Sequence, residues 1–224
     1  MFNLISPINK MKSNKIACYI YHSFNAWEEG DKIYLYACRQ RNMTMDVSSV
    51  IGYDDNYSTF MHEYVFNLST GESSERRVFQ VQSEFPTIDL TRLGRKNRYF
   101  YSVNMAIRPN STTSFFKTVI KYDRLKNVSY LHTLKDNLLG GEFVFIPNPH
   151  RSDSDEDEDN GYLASFAHNE QTNQSEFYLI NAKTMDEEPL ARVLLPQRGS
   201  LFSISFFLLL FFSFFFFFFL KKKI

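Results

Sequence analysis

Tyr21-His22-Ser23-Phe24-Asn25-Ala26-Trp27-Glu28-Glu29-Gly30 holds the chain's only tryptophan and one of its five histidines. The turn Glu29-Gly30-Asp31 opens Ile33-Tyr34-Leu35-Tyr36-Ala37-Cys38, a run rich in side chains that suit a pleated, half-buried surface. The same pattern recurs outward from it. Tyr64–Leu68 stops at Ser69-Thr70-Gly71 and Arg77–Val81 follows, the spacing of a hairpin. Arg98–Ile107 and Phe115–Tyr122 make a second pair across a loop holding Pro109 and Asn110. Gly141–Ile146 reads as one compact strand closed by Pro147, and Gly161–His168, Glu176–Ile180 and Ala191–Leu195 complete the set. No apolar 3.6-residue period lasts long enough for a helix before residue 199. The chain is therefore all-β. Short strands at this spacing suit a propeller, a sandwich or a barrel, and no Trp-Asp type of repeat singles out the first.

A chain of 224 residues can bury a sizeable core as one domain. Lys+Arg and Asp+Glu are equal at 25 each, so no net field favours nucleic acid or an acidic partner. Arg92, Arg95, Lys96 and Arg98 cluster, but the aromatic residues between and after them follow strand patterning. Cys18 and Cys38 lie in apolar runs, which fits reduced thiols in an intracellular or plastid compartment. The run Asp153–Asp159 fails the calcium-loop template in either register. Starting at Asp153, positions six and twelve are Glu158 and Ala164; starting at Asp155, they are Asn160 and Phe166. It reads as a solvated loop.

From Leu201 to Leu220 every residue is apolar except Ser203, Ser205 and Ser213, and Lys221–Lys223 follow. Twenty helical residues span roughly 30 Å, the thickness of a bilayer core. Residues 201–220 thus read either as a membrane-spanning tail anchor or, because Phe214–Phe219 is unbroken phenylalanine, as translated non-coding sequence.

The pattern aromatic-His-x-x-Asn-Ala-Trp-Glu-Glu at 21–29 resembles the motif that carries the third of four iron-binding histidines in carotenoid cleavage oxygenases. The resemblance implies a seven-bladed β-propeller with Fe(II) on its axis. Residues 16–198 correspond to about its C-terminal three blades, between an unmatched segment 1–15 and a hydrophobic tail 199–224 able to form a helix. Intact members are plastid or cytosolic enzymes. They use O2 to cleave a conjugated double bond of a carotenoid or apocarotenoid into two carbonyl products.

On that resemblance His22 is an iron ligand. Glu84, in Glu84-Phe85-Pro86 ahead of Gly94-Arg95-Lys96-Asn97-Arg98-Tyr99, matches the carboxylate that orients it. Glu142, in Gly140-Gly141-Glu142, matches the carboxylate behind the fourth histidine. Asp159–Glu170 follows a family strand in which His168 is not a ligand. His62, His132 and His150 match no ligand position and read as surface or structural residues. The resemblance stops at Arg198, and no histidine lies beyond His168. One ligand of four is present, so the chain alone is expected to bind iron negligibly and to be inactive. Two alternatives stand beside this expectation: a non-catalytic, tail-anchored propeller remnant that binds membranes, and the unstable product of a faulty gene model.

Overall fold

Antiparallel pairing of neighbours along the chain organises the computed structural model, which describes residues 17–42, 57–107, 114–135, 137–152, 154 and 156–199. Residues 1–15 and the apolar stretch 201–220 lie outside the described residues. Among those described, no helix is long and apolar enough to cross a membrane.

The strands form successive four-stranded meanders. In the first, β1 (Tyr19–Glu29), β2 (Lys32–Gln40), β3 (Phe60–Asn67) and β4 (Ser73–Gln82) pair in chain order. Gly30, at φ +60°, makes the turn between β1 and β2 that a side chain would strain. The second meander is β5 (Glu84–Thr87), β6 (Tyr99–Ile107), β7 (Ser114–Asp123) and β8 (Val128–Thr133). In the third, β9 (Leu138–Gly140) and β10 (Val144–Pro147) lie end to end against β11 (Gly161–Asn169), followed by β12 (Gln174–Asn181) and β13 (Ala191–Leu194). One residue pair, Phe116 with Gly140, joins the second meander to the third. The result is an all-β, curled array of three four-stranded units.

The expected strand Gly141–Ile146 begins only at Val144. The Gly141 N–H turns to Phe166 O at 3.1 Å and the Ser165 hydroxyl donates to Glu142 O at 2.6 Å, so residues 141–143 leave the ladder. Four strands absent from the sequence reading, β1, β5, β8 and β9, supply the rest of the pairing.

Two cores explain why β6 and β7 read as nearly continuous apolar runs. Phe100 and Tyr122 face a cluster with Phe24, Trp27, Tyr36, Cys38 and Met61, between the first and second meanders. Tyr101, Val103 and Val119 face the opposite cluster with Leu138, Phe143, Leu163 and Tyr178, between the second and third. Successive side chains point to opposite faces of a strand, so a strand buried on both sides shows no alternation. A β-bulge opposite Asn104 and Met105 shifts the parity of β7, which puts even-numbered Phe116 on the same face as Val119.

The acidic run is not wholly a solvated loop. Glu158 and Asp159 are buried: Glu158 accepts the N–H groups of Arg98 and Tyr99, and Asp159 takes the Lys121 ammonium at 2.6 Å. Lys121 also donates to the carbonyls of Ala182 and Lys183. Beside it, Arg98 grips Asp123 with two hydrogen bonds of 3.0 and 2.7 Å. Carboxylates are tolerated at this depth because each meets cationic or N–H donors.

Candidate metal centre

β1 sorts the residues of the opening motif by what they touch. Asn25 is buried, and its amide nitrogen donates to Arg92 O, Arg95 O and Asn97 Oδ1 at 3.1, 2.9 and 2.8 Å. Its amide oxygen accepts from the N–H groups of Gly94 and Ala26, both at 2.9 Å. Asn25 thereby ties β1 to the loop between β5 and β6. The Trp27 ring stacks on Tyr34 and Tyr36, each at 5.5 Å and 12°, and the Arg124 guanidinium lies 5.6 Å from its centroid. Glu29 meets Lys96 at the surface. The motif's asparagine and tryptophan are scaffold, and His22 is left to face a cleft.

That cleft, of about 460 Å³, is walled by Tyr21–Ser23 of β1, Phe85–Thr87 of β5 and Glu142–Val144 at the start of β10. The first two walls belong to the opening strands of their meanders, and the third is the stretch where the chain passes from β9 into β10. The His22 side chain is 48 % exposed, and its Nδ1 lies 2.7 Å from Glu84 Oε2, whose side chain is 8 % exposed. The same oxygen accepts the Phe85 N–H at 2.8 Å. Burial raises the Glu84 pKa above the usual carboxylate value, with the Phe85 N–H and His22 opposing it. Glu84 Oε1 is buried without a hydrogen-bond partner among the described residues. Glu142, half-buried in the third wall, also has its pKa raised by burial and is opposed by the nearby His22.

Chemically, an imidazole that donates Nδ1–H to a carboxylate presents Nε2 with its lone pair free, the form that binds a metal. All five histidines of the sequence are among the described residues, and His22 alone lines the cleft. His132 is buried, with Nδ1 donating to Asp186 O at 2.6 Å and Nε2 facing the Tyr178 hydroxyl at 3.1 Å. His168 meets Ser175, His62 pairs with Glu75, and His150 is exposed. Among the described residues no group of three or more His, Cys, Asp or Glu side chains converges to hold a metal. What is present fits one nitrogen ligand backed by its carboxylate.

A family model described as retinal pigment epithelial membrane protein (RPE65) matches residues 6–201. The chain belongs to this carotenoid oxygenase family. It is 36% identical over 196 residues to carotenoid 9,10(9',10')-cleavage dioxygenase 1 of Pisum sativum, covering 81% of this chain and 35% of that protein. To the carotenoid cleavage oxygenase of Mycobacterium tuberculosis it is 30% identical over 188 residues, covering 81% of this chain and 36% of the relative. The chain thus spans about a third of the length of the curated relatives it matches. Among solved structures, cobalt-substituted Synechocystis apocarotenoid oxygenase superposes with a TM-score of 0.68 at 18% identity, over 82% of this chain and 38% of that one. Pseudomonas brassicacearum lignostilbene dioxygenase gives 0.70 at 20% identity, over 83% and 41%. The carotenoid oxygenase fold, a propeller, accounts for the three curled meanders.

Within this family member, the sequence reading missed Phe85, whose φ of 48° is left-handed. Nothing in Glu84-Phe85-Pro86 signals it, because a residue before proline favours extended backbone. The reading also missed the buried Lys121–Asp159 pair, since a lysine inside a strand pattern ordinarily reads as solvent-facing.

Proposed function

We propose that this chain contributes one wall of a non-haem Fe(II) centre that cleaves a carotenoid or apocarotenoid double bond with O2. His22 coordinates through Nε2, Glu84 aims it through Nδ1, and Glu142 stands ready to orient a further imidazole that is not among this chain's five. The single observation that carries the reading is the 2.7 Å contact between His22 Nδ1 and the buried Glu84, where β1, β5 and the start of β10 converge. Imidazole nitrogens suit iron and leave coordination positions for other molecules. When bound, iron supplies the O2 chemistry. The protein's part is to hold the imidazole in one tautomer and to present the long apolar substrate to the cleft. One imidazole binds Fe(II) weakly, so the other ligands come from outside this sequence.

The propeller portion is residues 16–198, with 1–15 and 199–224 flanking it. The plant relatives, one of them named chloroplastic, support a plastid or cytosolic location. Membrane association through 201–220 belongs to the same proposal and is read by fractionation with and without residues 199–224.

The test is a chimera in which residues 17–199 replace the matching segment of the Pisum sativum relative. We expect one iron per chimera and carotenoid cleavage, with both lost in His22→Ala. Iron retained in His22→Ala rules out the ligand role. Stoichiometric iron in the chain by itself rules out a shared centre.

A further inference from the structure

Phe85 occupies a backbone conformation that its own chemistry opposes. Its φ of 48° is uncommon for any residue with a Cβ and unfavourable for a bulky one. Pro86 adds to this, because the residue before a proline is driven toward φ near −120°. Three of the other four non-glycine residues with positive φ among those described are asparagines, Asn127, Asn137 and Asn173, which tolerate it. The strain coincides with a bulge. Glu84 pairs with Val103 and Thr87 with Tyr101, so three steps along β5 oppose two along β6. Strain of this kind persists only where the surroundings hold it.

The surroundings are visible. The Phe85 ring packs edge-on against Phe116 at 4.9 Å and 73°, and lies 5.3 Å from the His22 ring at 34°. The conformation also has a product: the Phe85 N–H donates at 2.8 Å to Glu84 Oε2, the oxygen that meets His22 Nδ1 at 2.7 Å. One carboxylate oxygen is thus held between a backbone donor on its own strand and an imidazole on β1.

We propose that Phe85 is a positioning residue whose left-handed backbone clamps the Glu84 carboxylate against His22, fixing the imidazole in its Nδ1–H form with Nε2 bare toward the cleft. Ring packing on Phe116 and His22 holds the backbone there, and the backbone holds the carboxylate. This role serves a metal on the reading that His22 is a ligand, given above. The tautomer itself is measurable with no metal present.

The experiment uses the metal-free full chain with ¹⁵N-labelled histidine, at a pH where His22 is neutral, and reads its tautomer from two-bond ¹H–¹⁵N correlations. Phe85→Gly and Phe85→Ala both remove the ring and keep the N–H. They differ in the Cβ that makes a left-handed backbone unfavourable. Expected are the Nδ1–H form in the parent and in F85G, and a fall of about tenfold in its ratio to the Nε2–H form in F85A. That is the size of losing one hydrogen bond to a charged acceptor. F85G should also melt no lower than F85A, although it removes more side chain, so an unfolded F85A beside a folded F85G with the parental tautomer supports the clamp. An identical tautomer ratio in F85G and F85A, whether parental or shifted, overturns it. So does loss of the fold in F85G, since ring packing rather than the backbone would then be what the site needs. A chimera without iron whose tautomer still follows this pattern fails the ligand reading alone, whereas iron binding with an unmoved tautomer fails the clamp alone.

Discussion

Two polar clusters lie on either side of β6, and they are built to opposite specifications. At the cleft, Glu84 is buried but its partner His22 is half open. Between the second and third meanders, Lys121 and Asp159 are 3 % and 6 % exposed, and Lys121 donates to three oxygens. The sealed cluster spends its charge on holding the meanders together. The open one leaves the half-exposed His22 imidazole, with its Nε2 lone pair, where a ligand can reach it. Removal of a sealed group should therefore cost folding stability, and removal of an open group should cost binding.

The largest effect falls on the sealed side. Lys121→Met leaves Asp159 buried and unpaired, and we expect a loss of about 3–5 kcal/mol in urea denaturation. A loss no greater than that of Glu84→Gln would erase the contrast. Asn25→Ala comes next, because it strips partners from the carbonyls of Arg92 and Arg95 and from the Gly94 N–H. The expected loss is about 2–3 kcal/mol in the same measurement. Glu84→Gln should change stability by less than about 1 kcal/mol. It should nevertheless weaken iron binding by the chimera about 10–100-fold, the usual penalty for losing the group behind a ligand histidine.

Smaller and pH-dependent is the contribution of His132. Burial lowers its pKa below the ordinary 6.5, against the opposing Asp186 carbonyl. A histidine whose folded pKa is depressed stabilises the fold above its unfolded pKa and loses that contribution as pH falls through the folded one. The urea midpoint should therefore decline below pH 6.5, and less steeply in His132→Gln. Smallest of all is Glu142→Gln. Burial raises the Glu142 pKa, so its ionisation opposes folding as pH climbs above the ordinary carboxylate value. The variant should be no less stable than the parent at pH 7. A clear destabilisation would mean that Glu142 is part of the scaffold.

How much of this is legible in the sequence depends on whether local chemistry and tertiary context agree. β2, β3, β4 and β11 to β13 announce themselves through β-forming residues between polar turns. β1 does not, because Asn25, Ala26, Glu28 and Glu29 are poor strand formers, and Asn25 is held by a loop about seventy residues away. β8 escapes because Val128, Tyr130 and Leu131 are exposed while His132 is buried, which inverts the pattern that marks a half-buried strand. β9 and the late start of β10 escape because the carbonyl and hydroxyl that draw the chain aside at 141–143 belong to β11. His22 and Glu84, 62 positions apart, could be associated only through a motif, since no local rule joins them. The left-handed backbone of Phe85 contradicts its local sequence, as residues at working sites do when the surrounding structure overrides propensity.

The lone pairing of Phe116 with Gly140 makes the junction between the last two meanders a seam one stitch long. Glu142 follows two residues later, so the seam sets how far the third wall stands from His22. It is closely covered. A Cβ on Gly140 would come within 2.8 Å of Leu134 Cδ1 and 3.4 Å of the Phe116 carbonyl oxygen. Glycine at this position lets the second and third meanders meet with Leu134 closed over the join, which an added methyl group would have to push aside.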